Sequence, residues 1–324
     1  MINTNVNFGI KSPKNQIRLF GYEYYFNSFA KLYHKNKLPH TILLSGSKGS
    51  GKATFAYHFI NYLLSFNEND KYSIDNFSIN PDNKSYKNLC NYTHANFFLL
   101  DNDKFGENIK IEKVRNVLKF LNKSTYLSNV KVILLDNAEN LNLHSSNALL
   151  KVLEEADNKT FFFIIHNNNY KILNTIKSRC IEFKFFFTLL EKKKIFENII
   201  NQYTDDFDLN KIDDFFYFDT PGNILKYLLI LKDSNVNFSK DKLSCILYLI
   251  DEYKKNHDSQ ILMFISMMIE LFYNELSTIN NKNLNLYFLN KFKLLRKIKD
   301  TEKFNLDKKN LFIFLRETLE NESK

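Results

Sequence analysis

Short apolar runs alternate along the chain with stretches whose apolar residues recur every three or four positions. That alternation predicts strands set between helices. Residues 132–135 and 161–165 are unbroken apolar runs, as strands buried on both faces require. Between them Ala148, Leu149, Val152 and Leu153 keep helical spacing, with Ser145 or Ser146 placed to cap the helix. Strand, helix and strand in that order make a right-handed βαβ unit and a parallel sheet. Asp136 and His166-Asn167 then meet at the C-terminal ends of the strands, where open sheets of this kind bind ligands.

The same reading covers the rest of the chain. Residues 1–17 are a polar lead-in, and Phe20, Tyr24, Phe26, Phe29 and Leu32 predict a helix over 20–34. A short strand over 41–44, a glycine-rich turn and a helix over 52–64 follow. Residues 66–93, dense in Asn, Asp, Lys and Ser, predict a long surface loop. A strand is expected over 94–101 and an amphipathic helix over 111–121. The polar face of that helix carries Lys110, Lys113, Arg115 and Lys119, either solvated or set against nucleic-acid phosphates. Residues 181–187 predict the last strand, 189–203 a helix, and 204–232 two further helical pieces. Segments 246–253, 261–276, 284–298 and 306–319 predict a bundle of four or five helices. Within it Lys291, Lys293, Arg296 and Lys297 read as a solvated helix face. The fold class is therefore α/β followed by all-α.

The strand, turn and helix at 41–64 frame Gly46, Ser47, Lys48, Gly49, Ser50, Gly51, Lys52 and Ala53. This is the context of a phosphate-binding loop. Its glycines let backbone N–H groups approach phosphate oxygens, the helix N-terminus adds a favourable dipole, and Lys52 would reach the β- and γ-phosphates. The eighth position normally supplies a hydroxyl to Mg²⁺; Ala53 has none, and Thr54 points about 100° further round the helix. Binding of ATP or ADP stays open at this stage.

At 324 residues the chain is too long for one ordinary core. Hydrophobic content of 44% with 25% charged residues is that of a globular protein, and the net charge of +9 permits contact with nucleic acid without requiring it. Cys90, Cys180 and Cys245 are odd in number and far apart, so reduced thiols are expected, not a disulfide framework. Cys90 and His94 stand four apart, but two ligands make no structural metal site, and no zinc is expected. Cys180 reads as a small buried residue. The N-terminus lacks a basic flank followed by an apolar core, and no run of about 18 apolar residues occurs. A cytoplasmic protein without a membrane span is expected.

The string NALLKVLEE at 147–155 and the closing Ser178-Arg179-Cys180 resemble the bacterial DNA polymerase III clamp-loader subunits, AAA+ proteins related to the P-loop ATPases. Asp136-Asn137-Ala138 most resembles the δ′ branch of that family. The likeness spans at least residues 18–230 and is specific in the core. It implies an AAA+ P-loop domain over 1–187, a small helical lid over 188–232 and a helical collar over 235–324 through which subunits assemble. It also implies partners: γ/τ and δ subunits in a heteropentameric ring, the sliding clamp that the ring opens, and primed DNA.

The resemblance further assigns roles. An ATPase of this class needs a phosphate loop, a Mg²⁺-holding hydroxyl, a carboxylate that orients water and an arginine from a neighbour. Here the hydroxyl is missing at Ala53, and Asn137 stands where the catalytic Glu belongs next to Asp136. Glu139, two positions on, is expected to project elsewhere. Losing either group costs on the order of 10²–10³ in rate, so little turnover is implied. The sensor position falls on His166 or Asn167, which either reads the nucleotide or bonds the loop. The stretch around Gly222 and Asn223 offers no nucleotide-sensing arginine. Arg179 is implied to reach the γ-phosphate held by the next subunit. Two other readings remain, an ATPase motor of the same loader and a nucleotide-independent DNA-binding module.

Overall fold

The computed structural model describes residues 10–102, 107–123, 130–203, 217, 219–232, 241–256, 259–279 and 283–322. The chain divides into two compact units. One comprises residues 11–204 with 220–223, the other residues 1–10, 205–219 and 224–324.

The first unit is a five-stranded parallel sheet between helices. In chain order its elements are α1 (Glu23–His34), β1 (Thr41–Gly46), α2 (Lys52–Leu64), α3 (Lys84–Cys90), β2 (Phe97–Leu100), α4 (Ile111–Leu121), β3 (Lys131–Leu135), α5 (Leu143–Glu155), β4 (Thr160–Asn167), α6 (Asn174–Lys177), β5 (Ile181–Lys184) and α7 (Leu189–Ile200). The strand order is β2-β3-β4-β1-β5. This parallel order fits the P-loop sheet that the resemblance implies.

Strand alternation sorts the core into two layers. Ile42, Leu44, Val132, Leu134, Phe161, Phe163 and Ile165 face α1 and α2. Leu43, Ile133, Leu135, Phe162 and Ile164 face α4 and α5, whose Val114, Val117, Leu149 and Val152 cover them. Burial on both sides is why these strands read as continuous apolar runs. The α1–α2 side is largely aromatic. Phe26 stacks on Tyr72 at 4.8 Å and meets Phe59 edge-on at 5.3 Å.

Several boundaries differ from the sequence reading. Helix α1 starts at Glu23, not Phe20, because Gly21 takes a left-handed φ of 75° ahead of it. Segment 66–93 is not simply a surface loop. It contains α3, whose first turn is closed by Asn83 accepting from the Tyr86 N–H at 2.6 Å, and it buries Tyr72, Ile79 and Leu89. The cap of α5 is neither Ser145 nor Ser146. Asn142 caps it, accepting from the Ser145 N–H at 2.9 Å, and both serines lie buried in the first turn. Strand β5 ends at Lys184. Phe185 and Phe187 beyond it pack against Tyr22, and Phe185 keeps one backbone bond to β1, its N–H donating to the Ser45 carbonyl at 2.8 Å.

The second unit is helical. Its described elements are α8 (Pro221–Lys232, which starts in the first unit), α9 (Lys242–Asn256), α10 (Ser259–Ile279), α11 (Leu284–Lys303) and α12 (Lys308–Glu322). The other helical piece expected within 204–232 falls outside the described residues. Tyr227 stacks on Phe264 at 4.1 Å, and Tyr253 packs on Phe312 at 5.1 Å. Within α10, Ile261–Ile279 is long and apolar enough to cross a membrane by length and composition, and half of it is buried inside the unit. Ile261, Phe264, Ile265 and Met268 are wholly enclosed, as in a core helix. On α11, Leu286, Phe288, Leu289 and Phe292 are exposed, while Lys297 sits 3.5 Å over the Phe314 ring and Arg296 pairs with Asp300 at 3.7 Å.

Candidate phosphate-loop site and surface arginine

Parallel strands end their C-termini at one sheet edge, and β1 to β4 bring their last residues together there. Gly46 pairs in register with Asn167, and Leu100 with Leu135, so Asp101 and Asp136 follow side by side. The expected site residues Asp136, Asn167 and the 46–53 loop therefore converge.

The loop turns on Gly49 (φ 80°) and Gly51 (φ 93°), conformations that a side chain resists. Tyr22, next to the first turn of α1, fixes it from outside. Its hydroxyl donates to the Ser50 carbonyl at 2.8 Å, and its ring is wedged among Phe55, Phe185 and Phe187. Lys52 is buried and curls back, donating to the carbonyls of Gly46 at 2.8 Å and Ser47 at 2.7 Å. Burial lowers its pKa to about 8, opposed first by the charge of Glu139 and then by that of Asp136.

That pairing corrects one expectation. Glu139 does not project elsewhere. A left-handed residue at Asn137 (φ 55°) and a short 3₁₀ turn at Ala138–Asn140 bring its carboxylate back over the site, where it accepts from the Asn167 N–H at 3.2 Å. Asn137 itself donates its side-chain amide to Asp101 at 3.0 Å and its backbone N–H to Asp136 at 2.9 Å. His166 points to the Tyr170 carbonyl at 3.0 Å, whereas the Asn167 side chain accepts from the Asn169 N–H at 3.2 Å.

Three carboxylates, Asp101, Asp136 and Glu139, thus crowd together, with the Lys52 ammonium beside Asp136 and Glu139 and that of Lys113 beside Asp101. Burial, and next the charge of Asp101, pushes Asp136 up to about 6. Its folded-state pKa lies above the unfolded one, so its protonation favours folding below about 4, and that benefit is lost as pH rises through about 6. Asp136→Asn, which keeps a carbonyl for the Asn137 N–H, should therefore raise stability at pH 7.5 by about 1–2 kcal/mol. The gain should shrink toward zero at pH 4.5, as urea denaturation followed at both pH values would read.

A nucleotide is the group that the resemblance implies here. The glycines, Lys52 and a buried Ser50 hydroxyl without a hydrogen-bond partner fit a phosphate. Two features do not. Ala53 supplies no oxygen for a metal, and the segment 220–223 lies against Gly49.

The remaining candidate stands apart. Arg179 follows α6 on the surface. Its guanidinium holds Glu154 through Nε at 2.9 Å and Nη2 at 2.6 Å, and Nη1 donates to the Thr175 carbonyl at 3.2 Å. Both side chains of the pair are substantially exposed, at 41% and 55%. Cys180 behind it is half-buried, with its thiol pushed up to about 12 by burial. Cys90 bonds the Lys14 carbonyl and His94 bonds Ser85 and the Asn96 N–H, so neither faces the other as a metal ligand. On α4, Lys113 bonds the Asp101 carbonyl at 2.7 Å, while Arg115 and Lys119 are exposed.

The sequence is similar to those of known proteins. The chain is 32% identical to DNA polymerase III subunit delta′ of Pseudomonas aeruginosa over 143 residues, 44% of this chain and 42% of that protein. It is 28% identical to DNA polymerase III subunit gamma of Buchnera aphidicola subsp. Schizaphis graminum, over 69% of this chain and 61% of that protein. With the delta′ subunit of the same Buchnera it shares 27% identity over 49% of this chain and 46% of that protein. The matches span about half the length of these curated relatives. Residues 22–187, just over half the chain, match the family described as DNA polymerase III, delta subunit. With the converging loop and strand ends, that match means that the chain belongs to the DNA polymerase III delta-subunit family.

Proposed function

We propose that this chain is a δ′-type subunit of the bacterial DNA polymerase III clamp loader, working in the cytoplasm. In this reading it does not hydrolyse ATP itself. It joins γ/τ and δ subunits in a five-membered ring, using its C-terminal helices as a collar and residues 188–232 as a lid. The ring opens the sliding clamp and places it on primed DNA. The observation that carries this is the contrast between two places in one domain. The cleft has lost its metal-holding hydroxyl (Ala53) and carries an amide at Asn137, whereas Arg179 stands exposed in the turn after a short helix with its guanidinium held by Glu154.

A guanidinium presented outward in that way suits a γ-phosphate bound by an adjacent subunit. Glu154 offers it a surface pair worth about 0–1 kcal/mol, which a polyanion can displace.

One observation favours a second reading, a motor subunit of the same loader. Glu139 is turned over the cleft toward Lys52, so a carboxylate is present despite Asn137. The purified full chain separates the two. We expect co-elution with γ/τ and δ subunits and no ATP turnover by the chain alone. Turnover that disappears in Lys52→Ala would select the motor reading, and failure to co-elute would sink both.

A further inference from the structure

The phosphate loop is held by a part of the chain about 170 residues away in sequence. The Thr220 hydroxyl donates to the Lys48 carbonyl at 2.8 Å, and the Gly222 N–H donates to the Gly49 carbonyl at 3.0 Å. The fit is close. A Cβ on Gly222 would lie 2.7 Å from the Gly49 oxygen, and one on Gly49 would run into Thr220 and lie 2.7 Å from the Asn223 amide oxygen. Lys52 meanwhile uses its ammonium on the loop's own carbonyls at Gly46 and Ser47, and the Ser50 hydroxyl is buried without a partner.

From this geometry we propose that the turn Thr220–Asn223 is a built-in latch that keeps the phosphate loop in its anion-free shape. A loop that receives a polyphosphate must turn its N–H groups and its lysine toward the anion. Here the carbonyls of Lys48 and Gly49 are pinned by the turn, so those peptide planes cannot rotate until the turn lets go. The latch needs glycine at both 49 and 222, because a methyl group on either would push the two segments apart. This goes beyond the proposed role and stands whether or not Arg179 serves a neighbour.

Releasing two neutral hydrogen bonds is worth about a tenfold change in an equilibrium held closed by them. Two variants of the full chain release the latch differently. Thr220→Val removes the hydroxyl at nearly constant shape, and Gly222→Ala inserts a methyl against the Gly49 carbonyl. Titration calorimetry with ATP, with and without Mg²⁺, should show affinity about tenfold tighter than in the parent for folded Gly222→Ala, which parts the two segments, and about threefold tighter for Thr220→Val, which removes one of the two bonds. The gain should vanish when Lys52→Ala is added. Hydrogen exchange of residues 46–51 should be faster in both variants before nucleotide is added. If Gly222→Ala does not fold, Thr220→Val alone decides. Affinities within twofold of the parent, including undetectable binding by all chains, would overturn the latch, as would unchanged exchange in 46–51.

Discussion

Arg179→Ala is expected to abolish most ATP hydrolysis at the site of the adjacent subunit in a reconstituted loader, while leaving the ring assembled. An arginine delivered in trans to a γ-phosphate is worth roughly 10³–10⁵ in rate, because it meets charge that develops only as the phosphoryl group transfers. The local cost of removing it is small. Its ion pair with Glu154 is exposed on both sides, and such pairs contribute about 0–1 kcal/mol. Arg179→Lys keeps the charge but loses the planar fork, so it should recover little. Glu154→Ala, which frees the guanidinium, should leave hydrolysis at or above the parent rate. DNA-stimulated phosphate release by the whole loader, with gel filtration as the assembly control, reads all three. Unchanged hydrolysis in Arg179→Ala would remove the main support for the proposed function.

The largest stability effect is expected at Tyr22. Its ring is 2% exposed and lies between 4.8 and 5.2 Å from the rings of Phe185, Phe187 and Phe55. Tyr22→Ala leaves a cavity in that aromatic layer and should cost about 3–5 kcal/mol. Tyr22→Phe keeps the ring but strips the Ser50 carbonyl of its donor, so it should cost about 1–2 kcal/mol. The difference between the variants, taken from urea denaturation followed by circular dichroism, separates packing from the bolt on the phosphate loop. Equal losses would mean that the hydroxyl carries the whole effect.

Much of this architecture was legible in the sequence. Continuous apolar runs marked β1, β3 and β4 because each strand is covered on both faces, and α2 and α4 begin and end where glycines and apolar spacing placed them. What escaped has identifiable causes. Helix α3 is short and set among Asn, Asp and Ser, and the signal for it was Asn83 as a cap ahead of Leu89. Residues Ser145 and Ser146 looked like caps because serine suits that position, but Asn142 reached it first. The return of Glu139 depends on a left-handed Asn137, a backbone state that asparagine tolerates without advertising it. The contact between the loop and Thr220–Asn223 spans too much sequence for any local pattern to show it.

On α11 four large apolar side chains, Leu286, Phe288, Leu289 and Phe292, are more than half exposed to water. Contiguous greasy area of that kind makes a solitary polypeptide prone to clump, because each copy can lower its own hydration cost on the next. In the proposed ring, production of this chain would have to keep step with production of the subunit that shields that helix. A surplus copy is a colloidal hazard to the cell that made it, and the first casualty of an imbalance in supply should be its solubility, before its chemistry.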